Sequence, residues 1–379
     1  MKKIICIISA VTLIFLFPLT VCAADGNEAE ELYRDQLSAS GAGSLHEQLP
    51  EETKKLLSDM DVSLGSIDEL SSFNGGKIVE TITSVIAEKG RTPIPTAFVI
   101  LGVMLLCAFT NGFEIKAGKG VQGNIVSAAG TLGVCGAVIA PVTDLIVRSG
   151  EVIQGASGFM MLYAPVMSGL MISSAHEIQG SSYYTLLMGA CEVIGMLSSK
   201  ILFPVIKIFL ALSITSSVSP SLNLSGITES LSKCMKWVMN FSLGIFVTIL
   251  TAQNLVTSSL DDVSTRALRF AMNSFVPVVG GVLGEALGTF SGSLSLLKSG
   301  TGVFVIIASG CMFLPLLTEC LIWRICFFLL GEAADILGIA PVRSVMKAIG
   351  AVLSLITAVM LTILVIFIIS TVIVLIVGK

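Results

Sequence analysis

A chain of 379 residues that is 54% hydrophobic and only 13% charged falls outside the composition of soluble domains, in which roughly a quarter of residues are charged. Positions 349–378 carry no charge at all, and a spanning helix needs only about 20 such residues, so the sequence describes a polytopic membrane protein of all-α class. The net charge of −4 is small and unevenly placed, which gives no basis for binding nucleic acid.

Residues 1–24 read as a signal peptide. Lys2 and Lys3 form the basic start, Ile4 to Phe17 the apolar core, Pro18 breaks it, and Val21-Cys22-Ala23 ends in a small residue suited to cleavage. The alternative is a retained first span; in both cases residue 25 onward is delivered outside the cytoplasm. Leu19-Thr20-Val21-Cys22 is a poor match to a lipoprotein box.

Residues 25–92 form an acidic arm with 14 acids against 6 bases. Pro50 suits a first helical turn leading into EETKKLLSDM. Ser66-Ile67-Asp68-Glu69 is a capping box, and Gly75-Gly76 ends the helix it opens. In KIVETITSVIAEKG, Ile78, Ile82, Val85 and Ile86 share one face and Gly90 stops the helix. So short an arm has little core of its own and is expected to lie on the membrane or dock on a partner.

Residues 93–379 form the membrane domain. Apolar runs predict seven or eight spans, at about 96–113, 124–147, 158–174, 183–217, 237–256, 301–323 and 349–377. The fourth is too long for one straight crossing and is interrupted at Ser198-Ser199-Lys200. With the arm outside, Lys116 and Lys119 fall inside, as the positive-inside rule asks. Lys233, Lys236, Arg343 and Lys347 follow if the fourth region crosses twice, but Arg266 and Arg269 then fall outside.

Chemistry-bearing motifs are sparse. GFEIKAGKG at 112–120 has the wrong glycine spacing for a phosphate loop and lacks Ser or Thr after Lys119. Gly155-Ala156-Ser157-Gly158 resembles the GxSG of intramembrane serine proteases, but a serine nucleophile needs a base within about 3 Å. His46 is in the arm, and His176 lies 19 residues further along, roughly 28 Å on a helix. The cysteines beyond the signal show no CxxC pair and read as buried small hydrophobes. The sequence therefore offers no catalytic, cofactor or metal site.

Ionisable residues inside spans are costly and point to function by default. Glu192 lies about two turns before Lys200; Lys200 and Lys207 are seven apart and share a face; Glu319 sits one turn before Trp323 and Arg324. They are read as intramembrane polar contacts, forming either a polar path or satisfied pairs with the bases snorkelling to the interface. A different pattern fills 273–300. Pro277 opens it, Gly280, Gly284, Gly288 and Gly292 recur every four residues, Gly281 flanks them, and Glu285 sits at the edge of the seam. Each glycine costs a helix about 1 kcal/mol relative to alanine, so the seam makes sense where another backbone packs against it. It is expected to be a re-entrant or interfacial element from Pro277 to about Lys298.

The run FVPVVGGVLGEALGTFSGSLSLLKSGTGVF, together with the signal, the acidic arm and the multiple spans, resembles the stage III sporulation protein AE family of endospore-forming bacteria. Pro-Val-Val-Gly-Gly at 277–281 and Leu-Leu-Lys-Ser at 296–299 are the most specific pieces. The resemblance implies a non-enzymatic membrane component of a channel or secretion-like complex in the mother-cell membrane around the forespore. The partners it implies are the lipid bilayer, other products of the same operon including a cytoplasmic ATPase, and a forespore-side protein. The competing reading is a self-contained secondary transporter for a small solute, which would need a midplane site; no inverted repeat supports one.

Overall fold

The computed structural model describes residues 27–64, 75–117, 122–174, 176–218, 225–275 and 280–377, and every regular element among them is helical. The arm comprises α1 (Asn27–Ser40), α2 (Ser44–Glu47), α3 (Glu51–Asp59) and α4 (Gly75–Lys89). Pro50 stands just before α3, as its fixed φ favours. Gly75-Gly76 opens α4 and does not close the preceding helix; the capping box at 66–69 lies outside the described residues. Val85 is buried on the expected face of α4, but Ile86 is exposed.

The arm docks on its own chain. Tyr33, Leu45, Leu49, Leu57 and Met60 form a buried cluster, closed by the Tyr33 hydroxyl donating to the Leu64 carbonyl at 3.2 Å. Burial pushes the Tyr33 phenol up to about 12. Lys89 pairs with Glu52 at 2.6 Å, and Lys77 pairs with Asp61. Gln36 Nε2 then donates to Ser293 Oγ at 2.8 Å, and the His46 ring lies 6.2 Å from that of Phe304. The short arm completes its core against a membrane-domain helix.

That domain contains α5 (Pro93–Ala117), α6 (Gln122–Ser173), α7 (Glu177–Leu197), a π-helical turn (Ser198–Leu202), α8 (Phe203–Val218), α9 (Ser225–Phe275), α10 (Gly280–Ile336) and α11 (Ala340–Val377). Among the described residues six stretches are long and apolar enough to cross a membrane: Val79–Phe109, Gly130–Ser173, Glu177–Ser217, Gly226–Thr257, Gly292–Ile336 and Ala340–Leu375. Seven or eight are expected from the sequence, and the difference has a local cause. Residues 124–147 and 158–174 lie on the single helix α6, which runs on through RSGEVIQGAS between them and through Pro141 and Pro165. Its Ser149 hydroxyl returns to the Leu145 carbonyl at 2.6 Å, so the polar group is satisfied within the helix. Residues 183–217 also run on, through the π-helical turn that falls where the sequence predicts an interruption.

The glycine-rich stretch likewise continues without a break into the following apolar run as one helix, α10, from Gly280 to Ile336. No separate re-entrant element stands apart there; Pro277 lies outside the described residues. α10 is the centre of the bundle. Of its most apolar window 78% is buried, against 17% for Val79–Phe109 and for Gly226–Thr257, which places those two at the periphery.

Small residues bring the helices together, as in other membrane bundles. A Cβ on Gly302 would come within 2.6 Å of the Leu375 side chain, so α11 is pressed onto α10 there, and Gly130 packs directly on Cys107. At the α6–α7 turn, Ser168 Oγ donates to the Gly180 carbonyl at 2.8 Å. A Cβ on Gly180 would lie 2.9 Å from both the Ser168 carbonyl oxygen and Ile172 Cγ1. Backbone cannot yield as a flexible side chain can, so Gly180→Ala should lower stability by about 1–3 kcal/mol. Gly189, where a Cβ meets nothing within 4 Å, is the control: Gly189→Ala should be neutral or slightly stabilising. Thermal unfolding in detergent measures both.

Candidate functional site

The intramembrane charges divide into two kinds. Glu319 on α10 is buried and accepts two hydrogen bonds from Arg148 on α6, from Nη1 at 2.7 Å and from Nη2 at 2.7 Å. Arg148 Nε donates to Asp144 Oδ2 at 2.8 Å, one turn back on the same helix. The Glu319 side chain is 8% exposed and that of Arg148 is 37% exposed. The carboxylate is therefore the desolvated partner, and the planar guanidinium supplies the paired donors it requires. Sequence spacing sets Glu319 beside Trp323 and Arg324. In the fold Trp323 stacks on Phe327 at 5.1 Å, and the cation comes from 171 residues away.

Glu192, Lys200 and Lys207 behave differently. All three are exposed on the outer face of α7, the π-helical turn and α8, and among the described residues none has an ion-pair partner. The structure does not bring them together as contacts within the chain. Ser198 is buried in the π-helical turn, and Ser199 Oγ returns to the Gly195 carbonyl at 2.8 Å. A Cβ on Gly150 would sit 3.5 Å from the Phe203 ring, which sets α8 in register against α6. Glu151 and Lys200 thus lie within about 3 Å of the same height, with Arg148 one turn below Glu151 on α6. This charged belt crosses an otherwise apolar bundle.

The glycine seam lies on α10. Gly280, Gly281, Gly284 and Gly288 are helical in backbone; their surroundings and the side chain of Glu285 are outside the described residues. Gly292 is exposed, and a Cβ there would meet nothing within 4 Å. The last glycine of the seam is thus uncovered by any described part of this chain. Six residues on, Lys298 is buried, close in sequence to the Ser293 and Phe304 contacts of the arm.

Ser157 of the GxSG-like motif is buried. It lies 16 residues before the end of α6 at Ser173, roughly 24 Å along the helix axis, and His176 stands beyond that end as the residue preceding α7. Tyr163 and Tyr183 meet edge to face at 6.5 Å, and Ser370 Oγ lies 3.5 Å from the Tyr183 hydroxyl. Among the described residues no group of three His, Cys, Asp or Glu is placed to hold a metal ion.

The sequence model for stage III sporulation protein AE matches residues 60–378. This chain belongs to that family. It is similar to stage III sporulation protein AE of Bacillus subtilis (strain 168), with 23% identity over 153 residues. That alignment covers 40% of this chain and 38% of the relative, well under half of each. No solved structure matches. The family is a sporulation family and not a known enzyme family, and six stretches among the described residues of this chain are long and apolar enough to cross a membrane.

Removing one member of a buried ion pair leaves the other desolvated and costs about 3–5 kcal/mol. Arg148→Ala should therefore lower thermal stability and protein level sharply. Adding Glu319→Leu to Arg148→Ala should recover much of the loss, because no charge is then stranded. Unfolding curves of the wild type, both single variants and the double variant in detergent measure the coupling.

Proposed function

We propose that this protein is a non-enzymatic membrane component of a channel or secretion-like complex that links mother cell and forespore and supports late forespore development. The observation that carries the reading is family membership across residues 60–378. Supporting it are the exposed charges Glu192, Lys200 and Lys207, which a lipid-facing surface would disfavour by about 2.5–3.5 kcal/mol each at the bilayer centre. Such charges suit a surface covered by partners or facing water. With no phosphate loop at 112–120, energy for any transport comes from a partner or an ion gradient. The partners are other products of the same operon, including a cytoplasmic ATPase, and a forespore-side protein.

The signal at 1–24 directs the arm across the mother-cell membrane, and the arm packs along α10 at Ser293 and Phe304. Reporter fusions after residue 60 should report an extracytoplasmic location and fusions near residue 118 a cytoplasmic one. A cytoplasmic report at residue 60 overturns the orientation.

The seam of Gly280, Gly284, Gly288 and Gly292 is a packing surface for another component. Gly284→Leu or Gly288→Leu should abolish co-purification of partners from sporulating cells and block spore formation. Val282→Leu points about 160° away from Gly284 on a helix and should not. Retained partners and normal spores in both glycine variants would remove the seam from the interface. Solute uptake by the purified protein alone in liposomes would favour a self-contained transporter.

A further inference from the structure

The outer surface of the bundle is too tall for a lipid bilayer to cover. On α6, large apolar side chains are exposed from Leu132 through Ile139, Val147 and Leu162 to Ile172. Those 40 residues of helix, with Pro141 and Pro165 inside them, rise at most about 60 Å, whereas the hydrocarbon core is about 30 Å thick. Tilting within the observed range of about 40° still leaves a large excess. The neighbouring face of α7 and α8 likewise exposes Val193, Met196, Ile201 and Ile208. Between these apolar bands lie exposed charges, with Asp144 and Glu151 on α6 and Lys200 and Lys207 on the π-helical turn and α8.

The heights of these charges match. Gly150 against Phe203 fixes the register of α6 and α8. The connections between described helices place Lys200 and Glu151 on one side of that contact and Lys207 and Asp144 on the other. Counting residues from the contact, Lys200 and Glu151 differ by two positions, and so do Lys207 and Asp144, about 3 Å of helix rise in each case. Yet among the described residues neither lysine pairs with either acid inside the chain; Asp144 accepts from Arg148 on its own helix at 2.8 Å and its side chain stays 61% exposed. Glu192 stands eight positions before Lys200, about 12 Å away along the helix, and takes no part in the match.

We infer that this face is an interface between copies of the chain: the α7–α8 face of one copy, bearing Lys200 and Lys207, packs on the α6 face of the next, bearing Glu151 and Asp144. A rotation axis normal to the membrane preserves height, so both pairings form together. The two faces are different surfaces, so the contact is heterologous and propagates around a ring. The apolar bands above and below the belt are covered by the same contact. Lipid alone cannot cover them, and an unrelated partner would have no reason to match the heights within one chain.

The test uses the full chain in nanodiscs, with the exposed native Cys234 changed by Cys234→Ser. Two differently tagged chains are co-expressed, one carrying Glu151→Cys and the other Lys200→Cys, and are oxidised with copper phenanthroline. The expected product is a disulfide-linked pair carrying both tags, in clear excess over pairs of identical chains. Both positions are exposed, so the substitutions leave the core intact. Independently, Lys200→Glu should weaken self-association about tenfold, as read by native mass spectrometry, and Lys200→Glu with Glu151→Lys in one chain should restore it. A monomeric wild-type chain, or a two-tag pair no more abundant than identical-chain pairs, overturns the inference. So does a charge reversal that leaves self-association unchanged.

Discussion

Glu319 is buried on the central helix of a bundle that has few charges, and its carboxylate is tolerated there because Arg148 reaches it from α6 with two parallel hydrogen bonds. A buried carboxylate without a partner would carry a desolvation cost of several kcal/mol. The pair therefore does more than hold α6 against α10. It fixes their relative height, since sliding either helix by one turn would strand the buried Glu319 carboxylate, while Arg148 would keep Asp144 on its own helix. The Gly150–Phe203 contact lies two residues from Arg148, so α8 inherits the same register.

From that register follows the division of the surface. Above the belt the arm completes its core on α10 through Gln36–Ser293 and the His46–Phe304 approach. Below it α5 exposes Phe98, Val99, Leu105, Leu106 and Phe109, the kind of surface lipid covers. Helices of 52 and 57 residues run through both zones, although about 20 residues suffice for one crossing. Such lengths exceed what a single crossing of the hydrocarbon core requires.

The functional reading rests on family membership across residues 60–378, and the surface the chain leaves open is in keeping with it. No described constellation supplies a nucleophile with its base. On the proposed reading the exposed Glu192, Lys200 and Lys207 and the open space around Gly292 serve as contact surfaces.

Much of this was legible in the sequence. The uncharged run at 349–378 required a membrane helix, the position of Pro50 marked the start of α3, and Ser198-Ser199-Lys200 marked the irregular turn, because each depends on composition or local backbone chemistry. The resemblance carried by FVPVVGGVLGEALGTF led to the family. The partner of Glu319 was not legible, since a side chain's neighbour 171 residues away leaves no local trace. Nor was the number of spans, because a polar stretch such as RSGEVIQGAS reads as a loop when its hydroxyl's return to the helix backbone cannot be seen. The outward direction of Lys200 and Lys207 was decided only by tertiary packing: periodicity shows that two residues share a face, but only the neighbouring helices determine whether that face is buried.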